Sequence, residues 1–158
     1  MYAEPFAFVI YSFGGDPGRP GPSNERLAQV AAKIVRQTHA TLLVQDHLEG
    51  PIRDLELTPD LVVDEHRKEG KFLGTEEVTA QYTEYLLQAD ISTVLLVAQP
   101  FLHRPKCIKL LQNEGFDVET VPTGWVPFDP ACTLWWGRSP FHLFFYALFQ
   151  FAFGRQGH

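Results

Sequence analysis

Cysteine is scarce in this sequence, which has only Cys107 and Cys132 among its 158 residues. The pair shows neither a CxxC spacing nor the cysteine density of a secreted disulfide scaffold. We therefore expect two free thiols in a reducing compartment, with the cytoplasm as the predicted location. A single disulfide between them is the alternative.

Positive charge is also sparse, with 13 Lys and Arg against 19 Asp and Glu and a formal net charge of −6. The basic residues are scattered and do not form a stripe. Proteins that wrap nucleic acid concentrate Lys and Arg on one surface. The composition therefore argues against a nucleic-acid partner.

The N-terminal segment MYAEPFAFVIYS lacks the basic start and the long apolar stretch of a signal peptide or a membrane span. It contains Glu4 and Pro5, and its apolar run ends at Gly14. A bilayer core of about 30 Å needs roughly 20 consecutive apolar residues in a helix. We expect a first β-strand here and no transmembrane span.

Hydrophobic residues make up 45% of the chain, which is enough apolar material for one packed domain over residues 1–158. Helix-length segments with apolar residues on one face separate most of the short apolar runs, and Ser23 and Thr75 are the predicted N-caps of two such helices. This alternation predicts an α/β, Rossmann-like, three-layer domain with a mainly parallel five-stranded sheet. The core spans residues 6–122 and a C-terminal extension spans 123–158, with strands predicted at 6–12, 41–46, 60–65, 93–99 and 116–121.

The loop after the first strand, in FVIYSFGGDPGRPGPSNERL, contains the pair Gly14 and Gly15. It matches neither the GxGxxG fingerprint nor a P-loop. Two adjacent glycines ahead of a helix N-terminus nevertheless allow the backbone to approach an anion closely. A plain turn stabilised by Pro17, Pro20 and Pro22 explains the same composition, and both interpretations stay open.

Other polar residues follow the remaining predicted strands, and parallel strands present such residues at one edge of a sheet. Glu65 and His103 are the candidate acid–base residues, since either side chain titrates near neutrality when partly buried. Thr75, Arg104 and Lys106 are candidate ligand-binding residues. A metal site of His47, Glu65, His66 and His103 is an alternative that lacks the usual ligand spacing, and the absence of a GxSxG motif disfavours a serine hydrolase.

The C-terminal segment SPFHLFFYALFQFAF predicts a helix that is apolar around most of its circumference, with Ser139 as N-cap. His142, Tyr146 and Gln150 recur every four residues as its polar stripe. At about 1.5 Å per residue the helix is roughly 20 Å long and too short to span a bilayer. Burial against the sheet and a homodimer contact are the favoured alternatives, and the lack of Lys and Arg argues against a membrane-surface helix.

The segments SNERLAQVAAKIV, VVDEHRKEGKFLGTEEV and LLVAQPFLHRPKCIKLLQNEGFDV, together with Gly14 and Gly15, resemble the YdcF-like family. Glu65, Thr75 and His103 match the acid, threonine and histidine of that family, and Lys106 stands where an arginine is usual. The segment QDHLEG and Glu77 depart from the pattern. The resemblance implies a Rossmann-like domain with a small-molecule site, and S-adenosylmethionine as a ligand.

These observations give one leading hypothesis and two alternatives. The leading one is a soluble protein that binds an anionic or nucleotide-like small molecule at the strand ends, with transferase or hydrolase activity. The first alternative is a non-catalytic interaction protein, or homodimer, that uses the C-terminal helix. The second is a metal-dependent hydrolase.

Overall fold

The computed structural model describes residues 5–16, 18–67 and 73–153. These residues form a five-stranded, all-parallel sheet, which confirms the predicted α/β fold. A short 3-10 helix at Trp135–Gly137 precedes the last helix. The strands and helices are β1 (Phe6–Ile10), α1 (Gly21–Thr38), β2 (Thr41–Gln45), α2 (Asp46–Asp54), β3 (Leu61–Val63), α3 (Thr75–Gln88), β4 (Thr93–Val97), α4 (His103–Asn113), β5 (Asp117–Thr120) and α5 (Pro140–Phe153).

The sheet is covered on both faces, which is why its central strands are apolar without a polar face. Phe8 and Ile10 of β1 point into a core that contains buried residues of α1 and α2. Ala7 and Val9 point to the other face, into a core formed with α3 and α4. The alternation of side chains along β1 thus builds three layers.

The direction of chain winding reverses between β1 and β4. From β1 the chain adds β2 and then β3 on one side, whereas β4 pairs with the other side of β1 and β5 follows beyond it. In open α/β sheets a ligand crevice lies outside the carboxyl ends of the strands at this switch point. The switch point here lies between the residues that follow Ile10 and those that follow Val97.

Helix α2 is absent from the sequence prediction, which treated residues 47–59 as a proline-containing linker. Gly50 and Pro51 lie inside this helix. Its buried residues Leu48, Pro51 and Ile52 follow the helical i, i+3, i+4 spacing, so burial against the first core outweighs the poor intrinsic propensity.

The predicted caps of α1 and α3 are wrong, whereas that of α5 is confirmed. Helix α1 begins before Ser23, whose hydroxyl donates a hydrogen bond to the Pro127 carbonyl, and Gly74 is the N-cap of α3. Tertiary partners have replaced the capping role of these side chains. The Ser139 hydroxyl accepts a hydrogen bond of 3.3 Å from the His142 backbone N–H, as a capping residue does.

Helix α5 packs on the first core along one side only, so the alternative of burial against the sheet holds for that side alone. Leu143 is its most buried residue and belongs to the core that contains Phe8 and Ile10. Tyr146, predicted as part of the polar stripe, packs on Trp136 with 5.7 Å between ring centroids, whereas phenylalanines of the helix are exposed. Among the described helices, none combines the length and the apolarity that crossing a bilayer requires.

Candidate functional site

The loop after β1 is held by a buried asparagine of α1. The Asn24 side chain accepts a hydrogen bond of 2.8 Å from the Phe13 N–H and donates one of 2.7 Å to the Pro20 carbonyl. Gly14 and Gly15 adopt φ values of +65° and +92°, which favour glycine. Sequence reasoning missed Asn24, although its place at the start of an amphipathic helix next to a glycine loop is a usable signal.

Neighbouring residues of the protein pack against this glycine pair. A Cβ built on Gly15 would lie 2.8 Å from the His47 Cδ2 and 2.9 Å from the Pro20 oxygen, and one on Gly14 would lie 3.4 Å from the Cys132 Sγ. Close packing against His47 of α2 and the Pro20 carbonyl thus accounts for Gly15, whereas the contact at Gly14 is an ordinary one and its positive φ accounts for the glycine.

The charges beside the loop are already paired. Asp16 accepts hydrogen bonds from the Thr133 N–H at 2.9 Å and from the Arg19 guanidinium at 2.6 Å. The hydrogen bonds from Thr133, followed by that from Arg19, lower the pKa of Asp16 to about 2. Arg19 also lies 2.9 Å from Asp129. This network fixes the C-terminal extension over the loop and leaves Arg19 electrostatically compensated.

His103, the first residue of α4, lies at the switch point. Its ring packs against Tyr11 and Phe13, with centroid separations of 6.1 and 5.8 Å. Burial, reinforced by the positive charge of Lys106, lowers its pKa to about 4, so the imidazole is neutral at pH 7. Its Nδ1 is buried and has no hydrogen-bond partner among the described residues.

Thr75 is the predicted site residue that the structure brings next to His103. Its Oγ1 lies 3.4 Å from the His103 Nε2. The Thr75 carbonyl accepts a hydrogen bond of 2.7 Å from the Thr79 hydroxyl, which is itself 2.8 Å from the Tyr11 hydroxyl. The first turns of α3 and α4 are therefore connected at the carboxyl end of β1. Tyr11 and Thr79 were not predicted as part of this arrangement, because both lie within patterns typical of buried elements.

Glu65 lies at the same edge of the sheet but not beside His103. It follows β3, and its side chain is exposed. Its backbone carbonyl accepts a hydrogen bond of 2.9 Å from the Gln81 side chain. Strands β2 and β1 separate β3 from β4, which corresponds to three strand spacings of about 4.8 Å. Glu65 and His103 would therefore approach a ligand from different sides.

The two basic residues predicted to bind a ligand, Arg104 and Lys106, contact different partners. The Lys106 Nζ lies 2.8 Å from the Glu76 carboxylate, so its charge is compensated at the surface. Arg104 donates hydrogen bonds to the Thr123 hydroxyl at 2.7 Å and to the Ala98 carbonyl at 3.3 Å. Burial lowers the pKa of Arg104 below its ordinary value.

The described residues contain no group of three or more His, Cys, Asp or Glu side chains placed to hold a metal ion. His47 pairs with Asp46, with 3.4 Å between Nδ1 and Oδ2, on the opposite side of β1 from His103. Cys107 and Cys132 are buried free thiols, as expected, and burial raises the pKa of Cys107. The raised pKa keeps Cys107 in its thiol form near neutral pH.

Comparison of the chain with protein-family models, with curated proteins and with solved structures gave no match.

Proposed function

We propose that this protein binds an anionic or nucleotide-like small molecule in the crevice between the ends of β1 and β4. The observation that supports it best is His103, a neutral imidazole at the switch point with Thr75 beside one ring nitrogen and no described partner for the other. A buried polar atom without a hydrogen bond costs about 1–3 kcal/mol. Such an atom is commonly explained by a function or by a bound molecule.

The environment of His103 suits recognition of a negatively charged ligand. In the free protein the imidazole is neutral, because burial and Lys106 disfavour its protonated form. A negative charge nearby would raise its pKa, so ligand binding and proton uptake would reinforce each other. His103 would then donate a proton or a hydrogen bond to the ligand, and Glu65 would act as the base from the other side in a transferase or hydrolase reaction.

S-adenosylmethionine is the first compound to test, because of the resemblance of the strand-end segments to the YdcF-like family. Nucleotides and sugar nucleotides come next, since they are the anionic molecules that Rossmann-like crevices accommodate. Divalent metals belong in the same panel, as the test of the metal-dependent hydrolase.

The experiment is a thermal-shift screen of this panel against the wild type. A ligand present at 100 times its dissociation constant adds about 2.7 kcal/mol to the unfolding free energy. We expect one compound class to stabilise the wild type. His103→Gln should reduce the affinity for that compound at least tenfold, and Glu65→Gln should weaken its binding or its turnover.

Glu25→Gln and His39→Gln are the matched controls, since both residues are exposed on or next to α1 and have no place in the proposed site. A ligand that binds the His103→Gln variant as tightly as the wild type would refute the proposed site.

The exposed face of α5 favours a second candidate function, association with a second copy of the chain. Phe141 and Phe151 are 77% and 90% exposed, and Phe144, Phe145 and Phe149 are exposed beside them. Phe101, which precedes α4, forms an open apolar groove with the first turns of α5. Contiguous exposed apolar surface of this kind marks interaction sites in folded proteins.

A further inference from the structure

Two arginines from opposite layers of the fold converge on one residue at the carboxyl edge of the sheet. Arg26 of α1 donates a hydrogen bond of 3.3 Å to the Thr123 carbonyl. Arg104 of α4 donates one of 2.7 Å to the Thr123 hydroxyl. Thr123 follows β5 and is only 2% exposed, so it fixes both guanidinium groups at one place.

Neither arginine has a carboxylate within 4 Å among the described residues, whose ion pairs involve Arg19, Arg53, Arg67, Lys106 and His47 instead. The Nε of Arg104 is buried and also lacks a described partner. The described oxygens that they bond, those of Thr123 and Ala98, are neutral, so these bonds leave both positive charges uncompensated. An anion between them would compensate these charges and supply further hydrogen-bond acceptors.

Gly124 keeps part of this place open. It has a φ of +63°, and a Cβ built on it would point towards the Arg26 guanidinium at 3.7 Å from Nη2. A larger side chain at this position would extend over the guanidinium.

We propose that Arg26 and Arg104 bind one phosphate group of the ligand at the ends of β4 and β5. The planar fork of arginine matches the oxygens of a phosphate and forms short, charge-assisted hydrogen bonds with them. This inference rests on the proposed function and narrows it to a phosphate ester or diphosphate whose other parts extend towards His103, which excludes S-adenosylmethionine because that compound has no phosphate. It also assigns to Arg26 a role that the sequence did not suggest.

The test is titration calorimetry with inorganic phosphate and with pyrophosphate, each at ionic strength held constant with sodium chloride. We expect the wild type to bind pyrophosphate and both Arg26→Gln and Arg104→Gln to lose at least tenfold in affinity. Lys33→Gln on α1 and Lys109→Gln on α4 make the same charge change on exposed side chains and should bind like the wild type. In a second series at higher sodium chloride concentrations, pyrophosphate binding should weaken, since salt screens the attraction between the arginines and the anion.

Arg104→Gln also removes hydrogen bonds to Ala98 and Thr123, so a folding defect in that variant is one outcome. Arg26→Gln then decides between the outcomes, because Arg26 is exposed and makes, among the described residues, a single hydrogen bond of 3.3 Å. Pyrophosphate binding that survives Arg26→Gln would show an adventitious ion only and overturn the inference. So would the absence of binding to the wild type.

Failure of this inference is distinguishable from failure of the proposed function. If pyrophosphate does not bind but a compound from the panel binds in a His103-dependent way, the arginine site falls and the proposed function stands. If pyrophosphate binds through Arg26 and no compound depends on His103, the arginine site stands and the proposed function falls.

Discussion

At the scale of single residues, the buried imidazole of His103 makes stability depend on pH. Its pKa is lowered from 6.5 to about 4 in the folded protein. Between these values the unfolded chain binds the proton more readily, so the free energy of unfolding falls as the pH is lowered from about 7 to about 4. A difference of about 2.5 pKa units corresponds to about 3 kcal/mol.

Urea denaturation of the wild type and of His103→Gln, at several pH values in this window, measures the effect. Carboxylates contribute equally to both proteins, so the difference between the two curves isolates His103. We expect the wild type to lose more stability on acidification than the variant. Parallel curves would show that the imidazole protonates normally in the folded state.

Gly15 and Gly18 provide a matched pair for the β1 loop. Both have a positive φ, of +92° and +74°, but a Cβ on Gly18 would meet none of the described residues within 4 Å, whereas one on Gly15 would meet the Pro20 backbone oxygen at 2.9 Å. Gly18→Ala should cost about 1 kcal/mol from backbone strain alone, and Gly15→Ala about 3 kcal/mol because the clash adds to it. Thermal or urea unfolding compares them, and equal losses would mean that the loop adapts freely.

At the scale of helices, the solvent-facing side of α5 predicts self-association. Light scattering over a range of concentrations should show a dimer that Phe141→Ser and Phe145→Ser together shift towards monomer. Both side chains are exposed, so fold stability should change little. Leu87→Ser is the control, since Leu87 is 66% exposed on α3, away from α5. A wild-type monomer at every concentration would exclude the second candidate function.

The helices also show where sequence patterns lose their predictive power. Apolar periodicity predicted α1 and α3, and Pro105 and Gly115 marked the ends of α4, but α2 was missed because its proline-containing segment was interpreted as a linker. In α5 the helix itself was predicted correctly, but the polar stripe does not mark its exposed side, since Tyr146 packs inward and phenylalanines are exposed. Trp136 packs on Tyr146, a contact between residues ten apart that no local pattern reveals.

At the scale of the whole molecule, the parallel fold follows from the sequence, whereas the site follows only in part. Apolar strands alternating with amphipathic helices leave few topologies, so Gly14, Glu65 and His103 were placed at one edge in advance. Their separation depends on the strand order β3-β2-β1-β4-β5, which the sequence does not specify. The convergence of Arg26 and Arg104 on Thr123 likewise needs three distant segments to be folded together.

The most direct test of the central claim is the NMR signal of the His103 ring nitrogens, assigned by its loss in His103→Gln, with and without the compound that stabilises the protein most. The proposed site predicts that binding shifts the His103 nitrogens and leaves those of His39, exposed at the end of α1, unchanged. A compound that saturates the protein without moving the His103 signal would place its site elsewhere and contradict the account.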